Sequence, residues 1–600
     1  MTTTRFATVV LAAVLAAAGL AACSSQSSEN NQIVLAEGQE LGDFNPMMGY
    51  GQLGVSPIYE GLLRPQSDTD DALPALVPSL AATTPQRIAP RQWRVALREG
   101  VTFSDGTSFD AADVVATYRA VRDPAVASEI STDFAPIVRI DADGPAAVGV
   151  TMNTDADPSP YLLLGIAPSE RVESAPAAQW RLNTAPVGTG PYALESLGPD
   201  QAVLAVRDDY WAGRPEISRV VYTYTPDDNT RAQRVVADEV DGANLPPALI
   251  GSLANRDGIE VSSVKSADWR GVSLPSGNAF TADVVARQAM NLGVDRDAIV
   301  ADVLRGHGAP ASTPIAEVYG AAYEPAAQFA FDRARATMLL DGAGWRPGPD
   351  GIRTKNGSRA EFTLLYNASD SLRRDLAVAF ATAMKPIGVQ VNPRGSSWDE
   401  IDTRLTADAV LLGGGATPYS IDSQVYDTLH TRVPDSSPYS NPGNFTAPGL
   451  DGLLDESRVA APGPANDKRY RQIQRTYVAA PSAVFLAFLH HTYAMRDTGW
   501  SSSSPILEPH SHGVAWGRGG ICRVGGDHDH RGDHAPRRRD PAGDRSGGPR
   551  REPPARQGCA GTSAPGPPPA PRGPDHWSGV AGNLCAGRDL TLRPARRAPR

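Results

Sequence analysis

A chain of 600 residues exceeds what one ordinary hydrophobic core supports, so two or more lobes are expected. Its formal net charge is −11 and its apolar content is 41%, close to the globular norm. Cysteine occurs only at 23, 522, 559 and 585, which excludes disulfides and thiolate metal sites from 24–521.

The first residues read MTTTRFATVVLAAVLAAAGLAACSSQ, with Arg5 in a short n-region and an apolar run ending at Leu20-Ala21-Ala22-Cys23. At this length the run reads as a signal peptide over 1–22 rather than a spanning helix. The small residues before Cys23 resemble a bacterial lipobox, in which cleavage exposes Cys23 and its thiol carries diacylglycerol. Ser, Gln and Asn then form a tether over 23–31. The expectation is a protein anchored by lipid to the outer face of the cell membrane, with no later span.

From about 32 to 517 the texture is mixed α/β. QWRVALREG (92–100) and AVLAVRDDYW (202–211) have strand patterns, while DAADVVATYRAV (110–121) and FDRARATMLLDGAGW (331–345) have helical ones, the latter ended by Gly342 and Gly344. No repeat of fixed period occurs. Past residue 518 the composition shifts. Arg, Gly and Pro supply 44 of the last 83 residues, and 16 Arg against 8 acids give this tail +8, leaving −19 for residues 1–517. Such a segment buries too little apolar surface to offset its chain entropy and is expected to be disordered.

Several segments of the body carry a resemblance, in order: YEGLLRP (59–65), WRVALREGVTFSDGTSFDAADVVATY (93–118), VGTGPYALESL (187–197), DDYWAGRPEISRVVY (208–222), ARQAMNLGVDRDAIV (286–300) and VFLAFLHH (484–491). Together they resemble the extracytoplasmic solute-binding proteins, family 5, of peptide and nickel ABC transporters, across essentially all of 32–517. The resemblance implies an α/β, two-lobed periplasmic-binding-protein-like fold (type II, cluster C) with two crossover segments. Lobe I is expected over 32–271 and 492–517. Crossovers and lobe II fall in 272–491, with crossings near Val272–Pro275 and Val484–His491. Tyr210 and Trp211 read as packing residues.

The resemblance also implies ligand contacts at Trp398 and Arg404, on a helix facing the cleft, and in the 413–422 loop, with Gly414, Thr417, Tyr419 and Asp422. Peptide-binding members carry in that loop an aspartate that pairs with the peptide ammonium, usually after a Trp. GGGATPYSID has no Trp and no acid before Asp422, so either Asp422 takes the role or the clamp is missing. His430, His490 and His491 offer a weaker alternative, a metal-chelate ligand. The expected function is capture of oligopeptide or dipeptide and delivery to ABC permease subunits. A nickel or chelate carrier, or a non-transporting lipoprotein sensor or adaptor, is the alternative. No cofactor, no nucleic-acid partner and a monomeric state are expected. The sequence has no GxSxG, HExxH or GxxxxGK pattern, so no enzyme is expected.

The tail holds GGDHDHRGDHAPRRRD (525–540), whose His528, His530 and His534 suggest a metal site in isolation. Its context argues otherwise. Members of the family from high-GC bacteria often end in a segment like HSHGVAWG (510–517) followed by Pro-Trp-Trp-Asn; here RGGICRVG follows. With suitable codons, restoring one base before residue 518 yields Pro-Trp-Trp-Asn-Leu-Pro-Ser-Trp. The 518–600 tail is therefore expected to be a frameshift product.

Overall fold

The computed structural model describes residues 31–66, 73–128, 130–414, 419–433, 436–497, 500–501 and 522–523. The signal peptide, Cys23 and its tether to residue 30, Thr417, residues 502–517 and the tail except Cys522–Arg523 lie outside the described residues. No described helix is long and apolar enough to cross a membrane.

The frame is an 11-stranded mixed sheet. Its strands are β1 (Gln32–Glu37), β2 (Tyr192–Leu197), β3 (Gln201–Val206), β4 (Arg219–Tyr224), β5 (Gly242–Asn244), β6 (Ile259–Ser273), β7 (Gly308–Pro310), β8 (Glu361–Asn367), β9 (Gln390–Ser396), β10 (Ala409–Gly414) and β11 (Ala483–Arg496). The spatial order is β9-β8-β10-β6-β11-β5-β1-β4-β3-β2, with β7 on β11 off this path. Strands β8, β9 and β10 pair in parallel, as do β5, β1 and β4. The two groups are the half-sheets of lobes II and I.

Strands β6 and β11, of 15 and 14 residues, are more than twice the usual strand length and serve both lobes. Ile259–Lys265 of β6 pairs antiparallel with Arg496–His490, beside β5. Trp269–Ser273 pairs with Phe488–Ala483 and with β10. Between these runs Ser266, Ala267 and Asp268 face Leu489 alone, a bulge that bends the strand. The Ser266 hydroxyl holds it, donating to Leu489 O at 2.7 Å and accepting from Asp268 N–H at 3.0 Å. The bulge at Ser266–Asp268 separates the part of β6 that runs beside β5 from the part that pairs with β10. Of the expected crossing Val272–Pro275, Val272 and Ser273 pair with β10.

In lobe I, Ile33, Leu35, Leu204, Val220 and Tyr222 of the sheet pack with Tyr50 and Tyr59. A second core forms on a four-stranded sheet that includes Gln92–Ala96 and Ala147–Met152. Helix α1 (Ala111–Val121) covers it because Val114, Tyr118 and Val121 recur at helical spacing and are all buried. Asp110 caps α1, accepting from Ala112 N–H at 2.7 Å, while Asp113 accepts from Asp110 N–H at 2.8 Å. A cap of this kind stabilises by about 1 kcal/mol. Tyr210 and Trp211 both donate to the buried Glu60, at 2.9 and 2.8 Å, so the DDYW and YEGLL segments lock together as packing. Gly188 and Gly190 lie against the same segment: a Cβ on Gly188 would sit 2.1 Å from Ile58 O.

Lobe II packs helices α2 (Arg333–Gly342) and α3 (Ser371–Met384) around Phe280, Trp345 and Phe380. Gly344, at φ 87°, turns the chain after α2 in a conformation that side chains rarely adopt.

Candidate ligand-binding cleft

Where the half-sheets meet, side chains from both lobes enclose two cavities that share Arg373 and Trp398. The first, of about 380 Å³, is aromatic. Its floor is Trp269 of β6 against Phe485 of β11, edge to face with centroids 4.9 Å apart. Trp398, which opens helix α4 (Trp398–Asp402), and Tyr439 form a wall, their centroids 6.1 Å apart. The glycines of β10 make room for this floor. A Cβ on Gly414 would lie 2.4 Å from Trp269 Nε1, and one on Gly413 2.5 Å from an Arg270 nitrogen.

Two carboxylates enter this cavity from opposite lobes. Asp133 comes from the Ser131–Phe134 turn of lobe I and accepts from Gln52 Nε2 at 2.7 Å. Burial raises its carboxyl to about 6, with the Gln52 bond opposing and the Asp427 charge adding. Asp427 comes from helix α5 (Ile421–Leu429), stays open to solvent and accepts no hydrogen bond within the described residues. Desolvation by the cavity walls raises its carboxyl too, against the pull of Arg458 and His430. Trp269 is only 7% exposed, and its Nε1–H has no acceptor among the described residues.

The second cavity, of about 460 Å³, is lined by charges that pair with one another. Asp268, fully buried, binds Arg270 and stands 3.3 Å from His491 Nε2. Asp370 pairs with Arg373 at 2.6 Å, and Asp228 with Arg231. Burial, with Arg270 nearby, lowers the Arg373 guanidinium from its ordinary value, and its Cζ lies 5.5 Å from the Trp398 ring. Ser371 Oγ donates to Asp228 Oδ2 at 2.6 Å, joining lobe II to lobe I. Glu37, at the end of β1, is 7% exposed, its Oε1 has no partner among the described residues, and burial pushes its carboxyl up to about 7 against Arg231.

Of the expected contacts, Trp398 lines both cavities and Gly414 the aromatic one. Tyr419 and Asp422 line a third cavity of about 200 Å³. There Asp422 pairs with Arg458 at 2.9 Å, and Tyr161 Oη lies 3.4 Å from Ser420 Oγ across the lobes. Arg404 pairs with Asp408, is 43% exposed, and stands outside the walls of all three cavities. The three histidines do not converge. His491 faces Asp268 and His490 lines the second cavity, while His430 binds Thr431 O at 2.5 Å and stacks on Tyr426. Among the described residues no group of three His, Cys, Asp or Glu is arranged to hold a metal ion.

Sequence reasoning missed Asp133, Trp269, Arg373 and Asp427. One signal was available for Asp427. Once Ser420 is read as the cap of α5, Ser423, Gln424 and Asp427 fall on one helical face.

The model of the bacterial extracellular solute-binding proteins, family 5 Middle, matches residues 75–435. Protein XP55 of Streptomyces lividans is 34% identical over 86% of this chain and 95% of its own length. The oligopeptide-binding protein AppA of Bacillus subtilis is 24% identical over 79% of this chain and 92% of its own. Among solved structures, NikZ from Campylobacter jejuni in complex with Ni(L-His) superposes with a TM-score of 0.71 at 21% identity, covering 82% of this chain and 100% of that one. A two-lobed frame with β6 and β11 at its centre, a cleft lined from both lobes and a family match over more than half the sequence lead to one assignment: the chain belongs to the family 5 bacterial extracellular solute-binding proteins.

Proposed function

We propose that this protein is the lipid-anchored substrate-binding component of an ABC importer, capturing a short peptide between its lobes and delivering it to the permease. Cys23 carries the lipid, and the protein works as a monomer without altering its ligand. The aromatic cavity is the observation that carries the reading. Both lobes wall it, and it holds carboxylates together with the Arg373 guanidinium, which suits a zwitterion. A ligand touching both lobes favours closure about β6 and β11. Trp398 and Gly414 serve as direct contacts. Tyr419 and Asp422 act beside them in the third cavity.

A metal chelate is the second reading, favoured by the adjacent guanidiniums Arg270 and Arg373, which would take the carboxylates of a chelating amino acid. The test equilibrates the full chain with mixed di- to pentapeptides and with Ni²⁺–histidine, followed by native mass spectrometry and thermal melting. A retained peptide and a melting point raised by several degrees are expected. Retention of the nickel chelate alone overturns the peptide reading. Cys23→Ala should release the protein from the membrane fraction.

A further inference from the structure

We infer that Glu37 couples closure of the lobes to pH: the closed cleft holds it with its proton, and loss of that proton favours opening. The inference requires the two-lobed receptor and not any one class of ligand.

The charges of the second cavity come in pairs, with one left over. Four carboxylates and three guanidiniums line it. Asp228 takes Arg231, Asp268 takes Arg270 and Asp370 takes Arg373, which leaves Glu37 without a guanidinium of its own. The three pairs belong to lobe I, to β6 and to lobe II, so this balance exists only where the lobes meet.

Arg231 lies close to Glu37 but is committed elsewhere. A Cβ on the adjoining Gly38 would sit 2.6 Å from Arg231 Nη1. The guanidinium donates to Asn244 O at 3.1 Å, Thr225 O at 2.8 Å, Pro226 O at 3.0 Å and the Asp228 carboxylate. The other neighbours bring no positive charge to Glu37. Tyr50, Tyr222 and Tyr493 face it from lobe I, and burial holds their phenols above the ordinary value, so they stay neutral. His490 and His491 line the cavity from β11, with His491 beside Asp268. Ionised, Glu37 is a buried charge with no counter-charge of its own; protonated, it is a neutral group that the cavity tolerates.

Closure is what keeps water from it. Asp370, Ser371 and Arg373, at the start of α3, wall the same cavity from lobe II. Ser371 Oγ fastens that wall to Asp228, the partner of Arg231, at 2.6 Å. Opening withdraws the wall, admits water and returns the Glu37 carboxyl from about 7 toward 4.5. The closed value lies above the open one, so closure takes up a proton between these two values. Closure is fully favoured below about pH 4.5, weakens through the window by up to about 300-fold, and has lost the proton's support above about 7.

The test compares the full chain with Glu37→Gln at about pH 5 and about pH 8. Small-angle scattering reads the lobes without ligand, and native mass spectrometry reads affinity for mixed di- to pentapeptides. Gln keeps the shape of the protonated acid and cannot ionise. From the lower to the higher pH the parent should expand, bind peptide about 100-fold more weakly, or both. The variant should stay compact and keep its affinity at both. It shares every other titration, that of the peptide amine included, so the difference between the chains isolates Glu37. A parent that changes neither dimensions nor affinity, or a variant that follows the parent, overturns the inference and leaves the peptide reading in place. Failure of both chains to retain any peptide overturns the peptide reading, and scattering still decides the role of Glu37.

Discussion

The two cavities of the cleft are neighbours, share Arg373 and Trp398, and differ in how their polar groups are satisfied. In the larger one most charges answer each other, Asp268 with Arg270, Asp370 with Arg373 and Asp228 with Arg231, while Glu37 Oε1, Arg270 Nε and Arg373 Nε have no partner among the described residues. In the aromatic one Asp427 and the Trp269 N–H have no protein hydrogen-bond partner within the described residues. Charge density alone does not mark a binding site. Paired charges stabilise the fold, and groups left without partners, in either cavity, are the ones a ligand completes.

The difference predicts that damage to the paired cavity is read as lost stability. Asp268→Ala should have the largest effect. It leaves the Arg270 guanidinium buried without its carboxylate, which costs about 3–5 kcal/mol in chemical denaturation. Glu37 gives the next largest effect. Folded, it keeps its proton up to about pH 7, whereas the ordinary value is 4.5. Its contribution is therefore full below about 4.5, declines as pH rises between the two values, and is lost above 7. The decline amounts to about 3 kcal/mol. Glu37→Gln should remove it, so that the variant gains on the parent at about pH 8 and matches it at about pH 4. Equal gains at both pH values would mean that Glu37 is not titrating in the cleft.

The frame was legible because its rules are local. The Asp110–Asp113 box and the Val114, Tyr118, Val121 spacing specify α1, and Gly344 marks the turn after α2. Tyr210 and Trp211 were readable as packing, and Glu60 is what they pack on. The bend in β6 was harder. The bulge at Ser266–Asp268 is created by register with β11, more than 200 residues away, and leaves no periodic trace. The aromatic cavity was hardest of all. Asp133 sits on a short turn of lobe I and meets Asp427 only because the lobes face each other. The 413–422 loop drew attention to Asp422, yet a sequence cannot show that Arg458 already holds it.

That occupied acid allows a sharper comparison within one helix. Asp422→Asn should lower unfolding free energy by about 2 kcal/mol, since Arg458 loses its partner. Asp427→Asn, at an exposed acid with no hydrogen-bond donor among the described residues, should change it by less than about 0.5 kcal/mol. If Asp427→Asn proves the costlier, the roles of the two acids are exchanged.

The smallest effect concerns the hydrogen bonds that join the lobes. Ser371 Oγ donates to the Asp228 carboxylate at 2.6 Å, whereas Tyr161 Oη and Ser420 Oγ stand 3.4 Å apart. A short bond to a charged acceptor is worth more than a long one between hydroxyls. Ser371→Ala should therefore shift the lobes toward the open state by about 1 kcal/mol and weaken ligand about fivefold. Tyr161→Phe, which removes only the hydroxyl, should change affinity less than about twofold. Small-angle scattering of the ligand-free chain reads the same order directly, with expansion for Ser371→Ala and little for Tyr161→Phe. The reverse order would place the stronger latch in the third cavity, beside Asp422, and make that side of the cleft the one that senses closure.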